Sequence, residues 1–254
     1  MDRPTREFVN GMRKVGRLAC SILDHVEPFV KIGTTPAELN TICEDFTRSK
    51  GATSAPLGYQ GFPASICTSV NNMICHGVPD HEPLEEGDII NIDVTPVLGG
   101  FHGDTSRTFI VGRTLPEIEK LVTVAKGAMW EGIQILRPGL HTGDIGYTTE
   151  KYITSQGFFP CTDIGGHGIG KKFHDDPFIP ASGRRGKGPK LRPWSCITVE
   201  PAVNQQKTAS VEVEIPGSTI TEILTDNDCF SAQFEHTVLI TDTGYEIMTI
   251  SDSF

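Results

Sequence analysis

A glycine turn near residue 100 imposes the strongest constraint on the fold, because it joins two strand-like runs into a hairpin. Within residues 91–105, Gly99 and Gly100 form a two-residue turn of the kind that requires positive φ. If the turn closes directly on its flanking residues, the alternation of side chains places Asp93 and Asp104 on one face. They would be diagonal neighbours, roughly 7–8 Å apart at the backbone.

The two carboxylates of this hairpin allow two interpretations. Asp93 and Asp104 repel each other unless positive charge lies between them, and a hard divalent cation is the natural occupant. The alternative is a pair of solvent-exposed strand acids with no role in binding. The hairpin alone does not separate these alternatives.

Pairs of helices followed by paired strands occur twice along the chain. Apolar residues at three- and four-residue steps predict a helix over residues 8–26, and Thr35 and Glu38 form a capping box at the start of a second. Residues 114–117 resemble another capping-box start, and Thr142 opens a fourth helix. This order predicts an α/β (α+β) fold with two related halves.

The composition favours an acidic protein of the reducing cytoplasm. The chain has 22 Lys and Arg against 32 Asp and Glu, a net charge of -10, so nucleic-acid binding through a broad basic surface is not expected. Its seven cysteines are scattered and odd in number, which favours neither a disulfide framework nor a zinc knuckle. No apolar segment follows Met1 and no run approaches about 20 apolar residues, so we expect neither a secretory signal nor a membrane span.

Two histidines and two further acids stand in unusual sequence contexts. His167 lies among glycines, where backbone and ligand can approach closely, and His174 follows seven residues later. Glu200 and Glu235 lie in apolar strand runs, where an unpaired carboxylate would be costly. Each acid alone is more often a paired structural residue. Four acids in strand contexts together with a glycine-flanked histidine favour a metal site.

These residues belong to a set of segments that resembles the type I methionine aminopeptidases over nearly the whole chain. The matching segments are 62–71 (FPASICTSVN), 75–79 (CHGVP), 91–95 (NIDVT), 102–105 (HGDT), 166–170 (GHGIG), 199–201 (VEP) and 231–237 (SAQFEHT). The ordered set Asp-Asp-His-Glu-Glu is typical of the pita-bread peptidase fold. The contexts of Cys67 and His76 narrow the likeness to methionine aminopeptidases.

The resemblance implies the architecture and a site for two metal ions. We expect residues 1–254 to form a single catalytic domain, with two pseudo-symmetric halves around a curved antiparallel sheet. The residues that would bind two divalent ions (Co, Mn, Fe or Zn) are Asp93, Asp104, His167, Glu200 and Glu235. Asp104 and Glu235 would bridge the ions, which would hold a shared water and lower its pKa towards about 7, giving the attacking nucleophile. One imidazole among the carboxylates favours a transition metal over Mg²⁺.

The resemblance also assigns catalytic and substrate-binding side chains. Glu200 would carry the proton of the water to the leaving amine. His174 would hydrogen-bond the carbonyl oxygen as its charge grows, and His76 would contact the nitrogen of the scissile amide. The side chains that would line the methionine pocket are Tyr59, Phe62, Cys67 and Phe173. Aromatic walls and a soft sulfur suit a thioether side chain.

The function implied by the resemblance is removal of the initiator methionine from nascent proteins. The enzyme would prefer a small second residue, act on polypeptide amino termini at the ribosome, and be a monomer. No partner among nucleic acids or membranes is expected.

Some segments depart from the family pattern and keep alternatives open. Pro56 stands where a cysteine is common, and residues 205–226 lack the tryptophan usually found near the pocket, with Ile223 or a neighbour in its place. Residues 191–196 lack a glycine that usually follows the proline. The alternatives are another peptidase of the same fold that cleaves Xaa-Pro bonds, and a non-catalytic pita-bread binding protein. Non-catalytic relatives lose metal ligands, whereas all five ligand positions are kept here.

Overall fold

The computed structural model describes residues 6–251, and over that range four helices and seventeen strands follow one another in two similar series. The helices are α1 (Arg6–Val26), α2 (Pro36–Ser49), α3 (Pro116–Gln134) and α4 (Thr142–Ser155). The strands of the first half are β1 (Thr53–Ser54), β2 (Cys67–Val70), β3 (Met73–Cys75), β4 (Ile89–Val94), β5 (Pro96–Leu98), β6 (Phe101–His102) and β7 (Thr105–Ile110). Those of the second half are β8 (Phe159–Pro160), β9 (Gly165–Ile169), β10 (Asp175–Pro180), β11 (Cys196–Val199), β12 (Ala202–Asn204), β13 (Ser210–Glu214), β14 (Thr221–Thr225), β15 (Ser231–Gln233), β16 (His236–Ile240) and β17 (Tyr245–Ile247).

Capping-box patterns in the sequence predicted the starts of α2 and α3, and one of the two patterns forms the expected hydrogen bonds. The capping box of α2 is confirmed, because Glu38 N donates to Thr35 Oγ1 (3.2 Å) and Thr35 N donates to Glu38 Oε2 (2.8 Å). The capping box expected at the start of α3 is wrong. There Leu115 occupies the cap without a side-chain hydrogen bond, and the Thr114 hydroxyl donates instead to the Gly87 carbonyl oxygen (2.9 Å). Within residues 6–251, no helix combines the length and apolar character needed to cross a membrane.

The strands pair in antiparallel fashion throughout the described ladders, with the helices covering their apolar faces. In the first half β2, β4 and β7 are neighbours, and in the second half the order is β10-β9-β11-β16-β17. One core cluster packs α1 and α2 against β4 and β7, and a larger one packs α3 and α4 against β11, β15 and β16. The expected fold with two related helix-and-strand halves is confirmed.

The register of the central hairpin agrees with the sequence prediction. Gly99 (φ 61°) and Gly100 (φ 80°) make the turn, and Leu98 pairs with Phe101. Further along the ladder Asp93 pairs with Ser106. Because side chains alternate along each strand, this register brings the two acids of the hairpin to the same face.

Two glycines allow the backbone of α1 to lie in direct contact with neighbouring strand segments. A Cβ on Gly16 would overlap the Met248 carbonyl oxygen, and a Cβ on Gly103 would lie 2.8 Å from the Val15 backbone. Gly103 directly precedes Asp104. The distance between α1 and the hairpin therefore helps to place this carboxylate.

We predict that Gly16→Ala destabilises the fold, although alanine favours a helix. The added methyl group has no space beside Met248, and overpacking of this kind costs about 1–3 kcal/mol, more than the ~1 kcal/mol gained in helix propensity. Gly244→Ala is the control, since a Cβ there meets nothing within 4 Å. Urea unfolding measures both variants. Equal midpoints for wild type and Gly16→Ala would contradict this packing argument.

Candidate metal centre

A cavity of about 320 Å³ opens where the two halves of the strand structure meet. The structure brings all eleven predicted site residues to its walls: Tyr59, Phe62, Cys67, His76, Asp93, Asp104, His167, Phe173, His174, Glu200 and Glu235. The two aspartates come from the first half, and His167 and the two glutamates come from the second. Neither half alone carries all four of these acids.

Hydrogen bonds between the halves hold the acids of the hairpin beside those of the second half. Asp104 N donates to Thr237 Oγ1 (3.2 Å), and the Thr237 hydroxyl donates to the Asp104 carbonyl oxygen (2.8 Å). The Thr105 hydroxyl donates to the Glu235 carbonyl oxygen (2.7 Å), and Glu235 N donates to the Ser106 carbonyl oxygen (3.1 Å). These bonds place Asp104 and Glu235 side by side.

The glutamates lie where their strands are interrupted. Glu200 follows the end of β11, and Glu235 lies in the break between β15 and β16, although its sequence context is that of a strand. Glu200 is oriented by two donors: the Thr198 hydroxyl bonds Oε1 (2.6 Å) and Gln233 Nε2 bonds Oε2 (3.2 Å). Its free lone pairs can still face the cavity.

His167 is held as a ligand would be. A carbonyl oxygen only accepts hydrogen bonds, so His167 Nδ1, 3.0 Å from the Gly168 carbonyl oxygen, is the donor. Nε2 then points at the carboxylates, 3.6 Å from Asp104 Oδ2 and 3.7 Å from Glu200 Oε1. Such a second bond to the backbone is the usual way in which a metal-binding imidazole is oriented. Burial alone would lower the pKa of His167, but Asp104 and Glu200 outweigh it and raise the pKa to about 9.

Burial and mutual repulsion disfavour the charged forms of the buried acids. Burial raises the pKa of Asp93 and of Glu235 well above the usual range, and neighbouring carboxylates raise both further. Burial also raises the pKa of Glu200, against the lowering effect of His167. Among the described residues, Asp93 Oδ1 and Glu235 Oε1 are buried without any hydrogen-bond partner. Unpartnered buried carboxylate oxygens are costly in a protein that offers them no cation.

One group of these side chains has the spacing of metal ligands. Ligand atoms of Asp104, His167 and Glu235 all lie within 4.8 Å of one another. Carboxylate oxygens with one imidazole nitrogen are a donor set for divalent transition metals. The chemistry of the donor set and the unpartnered oxygens both fit a divalent metal site.

Two further histidines approach the cluster from different elements. His174 reaches the mouth of the cavity and lies 3.1 Å from the Tyr59 hydroxyl through Nδ1, with its ring against that of His167 (centroids 4.3 Å apart). Although part of its side chain is exposed, burial of the remainder, followed by the charge of His167, lowers the pKa of His174 to about 4. His174 is therefore neutral at pH 7 and can offer one ring N–H.

His76 is fixed by the hairpin of β13 and β14. Its Nδ1 lies 3.2 Å from the Thr221 carbonyl oxygen, and burial lowers the pKa of its imidazole. Glu222 Oε1 accepts the N–H of Val78 (2.8 Å), which holds the loop that carries His76 at φ 59°. Since the carbonyl of Thr221 only accepts, Nδ1 is the donor and Nε2 of the neutral ring is an acceptor.

The cavity wall also contains residues that the sequence did not assign to the site. The Tyr59 and Phe173 rings pack at 5.0 Å between centroids, at one end of the cavity. The unassigned lining residues are Pro56, Cys75, Thr95, Ile164, Gly165, Phe178, Ile220 and Gln233. Of these, Gln233 lies two residues before Glu235, a spacing that could have suggested a shared face. Thr95 and Gly165 have the same spacing from Asp93 and His167, and Thr95 Oγ1 bonds Asp104 Oδ1 (2.8 Å). Residues such as Phe178 and Ile220 have no such local signal.

Comparison with known proteins agrees with this geometry. The sequence profile of metallopeptidase family M24 matches residues 10–242. Methionine aminopeptidase A of Synechocystis sp. is 46% identical over 249 residues, covering 98% of this chain and 97% of that protein. The chain belongs to the methionine aminopeptidases of metallopeptidase family M24.

Solved structures of this family share the architecture. The crystal structure of methionine aminopeptidase from Rickettsia prowazekii superposes with a TM-score of 0.94 at 41% identity, covering 98% of this chain and 100% of that one. The prolidase from Pyrococcus horikoshii has a TM-score of 0.76 at 18% identity and shows likeness of fold alone. This chain spans 64% of that prolidase, against the full length of the aminopeptidase. The pita-bread fold predicted from the sequence is confirmed, and the chain is a hydrolase of this family.

Proposed function

We propose that the chain, acting as a single catalytic domain, removes the initiator methionine from new polypeptides by means of two divalent metal ions. The observation that carries the proposal is the convergence of four acids and His167 on one cavity, two of whose carboxylate oxygens are buried without a partner. The residues that would hold the ions are Asp93, Asp104, His167, Glu200 and Glu235. Because both halves contribute ligands, the catalytic unit must include both.

The metal ions, when bound, would activate a water molecule and polarise the scissile carbonyl group. Glu200 takes the proton of the attacking water and delivers it to the leaving amine. Two donors, Thr198 and Gln233, hold the carboxylate of Glu200 in one orientation for this transfer. A general base must lie within hydrogen-bond reach of the proton it moves, and the wall position of Glu200 supplies that proximity.

The two histidines recognise opposite sides of the scissile amide. If the Tyr59 hydroxyl donates to His174 Nδ1, then Nε2 carries the proton and can donate to the carbonyl oxygen of the substrate. His76 has the complementary arrangement, because Nδ1 donates to the Thr221 carbonyl oxygen and Nε2 accepts. An accepting nitrogen suits the N–H of the scissile bond.

The methionine side chain is proposed to occupy the apolar end of the cavity. Tyr59, Phe62, Cys67 and Phe173 line this end, and Phe62 and Cys67 belong to one buried cluster. We also propose the preference for a small second residue that the sequence resemblance implies.

The proposed substrates are the amino termini of nascent chains, met in the cytoplasm at the ribosome by a monomeric enzyme. Peptide amino termini are the substrates that the names of the related aminopeptidases imply. Size-exclusion chromatography tests the monomer, and co-sedimentation with translating ribosomes tests the site of action.

We predict that Cys67→Phe raises KM for methionyl peptides about tenfold or more, with a smaller effect on kcat. The thiol is buried against Phe62 and faces the cavity, so a ring at this position fills the space of the methionine side chain. Initial rates over a range of Met-Ala-Ser concentrations measure both constants. Unchanged KM in a folded variant would remove Cys67 from the pocket.

A comparison of peptides tests the proposed activity. The metal-loaded enzyme is expected to release methionine from Met-Ala-Ser and to leave Ala-Pro peptides intact. Cleavage of the Ala-Pro peptides would assign the chain to the Xaa-Pro specificity of its more distant fold relatives. Cleavage of neither, by a folded protein that binds metal, would favour a non-catalytic role.

A further inference from the structure

The mouth of the cavity carries an exposed aromatic ring that the proposed mechanism does not use. Phe178 lines the cavity, yet its relative exposure is 52%, which is unusual for a large apolar side chain. The exposed part of this ring is an apolar surface at the mouth of the cavity.

The ring of Phe178 is held in place by the backbone beneath it. A Cβ on Gly165 would lie 2.9 Å from Cζ and 3.1 Å from Cε2 of Phe178, so the ring rests directly on this glycine. The tip of the ring therefore contacts strand β9. The exposed remainder of the ring can contact a ligand without rearrangement.

The position of Gly165 relates the ring to the reaction centre. Gly165 and His167 are two residues apart on β9 and so face the same side, roughly 7 Å apart. The pairing of β10 with β9 places Ile179 opposite Gly166 and Asp175 opposite Gly168. Because its ring contacts Gly165, Phe178 covers the start of β9. Phe173 and His174 precede Asp175 and lie towards the other end of β9, with His167 between them.

The length of an extended peptide indicates which substrate residue lies beside Phe178. If methionine occupies the end of the cavity at Phe173, the rest of the peptide extends past His167 towards Phe178. An extended residue spans about 3.3–3.6 Å, so a point about 7 Å beyond the scissile bond corresponds to two residues further along. We propose that Phe178 binds the side chain of the third substrate residue and selects an apolar one. This inference rests on the proposed aminopeptidase function.

Two isomeric peptides test which substrate residue contacts Phe178 and whether an apolar residue is preferred there. The metal-loaded enzyme is assayed on Met-Ala-Leu-Ser and Met-Ala-Ser-Leu, which differ only in the order of the last two residues. Contact with the exposed part of the ring favours the first peptide by about fivefold to tenfold in kcat/KM, mainly through a lower KM. Phe178→Ala reduces this ratio to less than about twofold, whereas Phe178→Leu, which keeps an apolar side chain at this position, retains most of it.

A matched variant separates this contact from general effects of losing an exposed ring. Phe29→Ala removes a phenylalanine of similar exposure (40%) that does not line this cavity, and it should keep the full ratio. Equal rates of the wild type on the two isomers, or a ratio that survives Phe178→Ala, would overturn this inference while leaving the aminopeptidase activity in place. Absence of methionine release from both peptides would contradict the proposed function, and this inference with it.

Discussion

Replacement of Glu235 by glutamine is expected to reduce the rate of methionine release more than about 100-fold. Removal of a residue that only hydrogen-bonds a metal ligand already lowers metal affinity or activity roughly 10- to 100-fold, and Glu235 is proposed to be a ligand itself. The same change should stabilise the protein without metal. Glu235 Oε1 is buried without a partner and faces the carboxylates of Asp104 and Glu200. A neutral amide of nearly the same shape relieves that repulsion and the cost of a buried charge. Activity assays and urea unfolding, both with defined metal content, measure the two effects.

Opposite changes in activity and stability distinguish a ligand from a structural acid. Glu119→Gln, an exposed change on α3, is the control and should alter neither quantity. If Glu235 were a structural acid, its replacement would destabilise the fold instead. A Glu235→Gln variant that is less stable without metal, or that keeps full metal-dependent activity, would contradict the proposed ligand role.

Replacement of His174 by alanine should lower kcat by about 10²- to 10³-fold, the range found when one donor to a developing oxyanion is removed. KM should change much less, because the bond strengthens as negative charge develops on the carbonyl oxygen. Tyr59→Phe should lower kcat by roughly tenfold, since it removes the hydroxyl group that orients the imidazole through Nδ1. Steady-state kinetics on Met-Ala-Ser separates kcat from KM in both variants.

The control for His174 is another exposed histidine. His81→Ala changes a residue outside the cavity and should leave both constants unchanged. Thermal unfolding of the three variants shows whether any loss of kcat follows from loss of structure. A folded His174→Ala variant whose kcat stays within about threefold of the wild type would exclude the oxyanion role.

The parts of the site that could be predicted from the sequence are those fixed by local geometry. The Gly99-Gly100 turn sets the hairpin register, and alternation along the strands then brings Asp93 and Asp104 to one face. The glycines around His167 signalled a close approach of the backbone. The remaining site residues were assigned by resemblance to a family, and the structure places all of them on one cavity.

The features that the sequence did not reveal depend on contacts between distant segments. Thr114 matched a capping-box pattern, but its hydroxyl is directed at the Gly87 carbonyl oxygen, and α3 begins after Leu115 instead. The break in the strand at Glu235 arises because its backbone N–H bonds Ser106 in the other half. Phe178 reached the cavity because β10 pairs with β9, a pairing that no local pattern indicates. Tertiary contacts override local propensity at each of these positions.

Titration of the metal-free enzyme with Mn²⁺, with methionine release from Met-Ala-Ser followed at each addition, tests the central claim most directly. Protein stripped by chelator should be inactive, and activity should appear with the first equivalents and reach its maximum by about two per chain, the number proposed for this site. Asp104→Ala should remain inactive at every concentration. Full activity in the presence of excess chelator, or none at any metal concentration in a folded protein that binds Mn²⁺, would contradict a methionine aminopeptidase that works through this cluster.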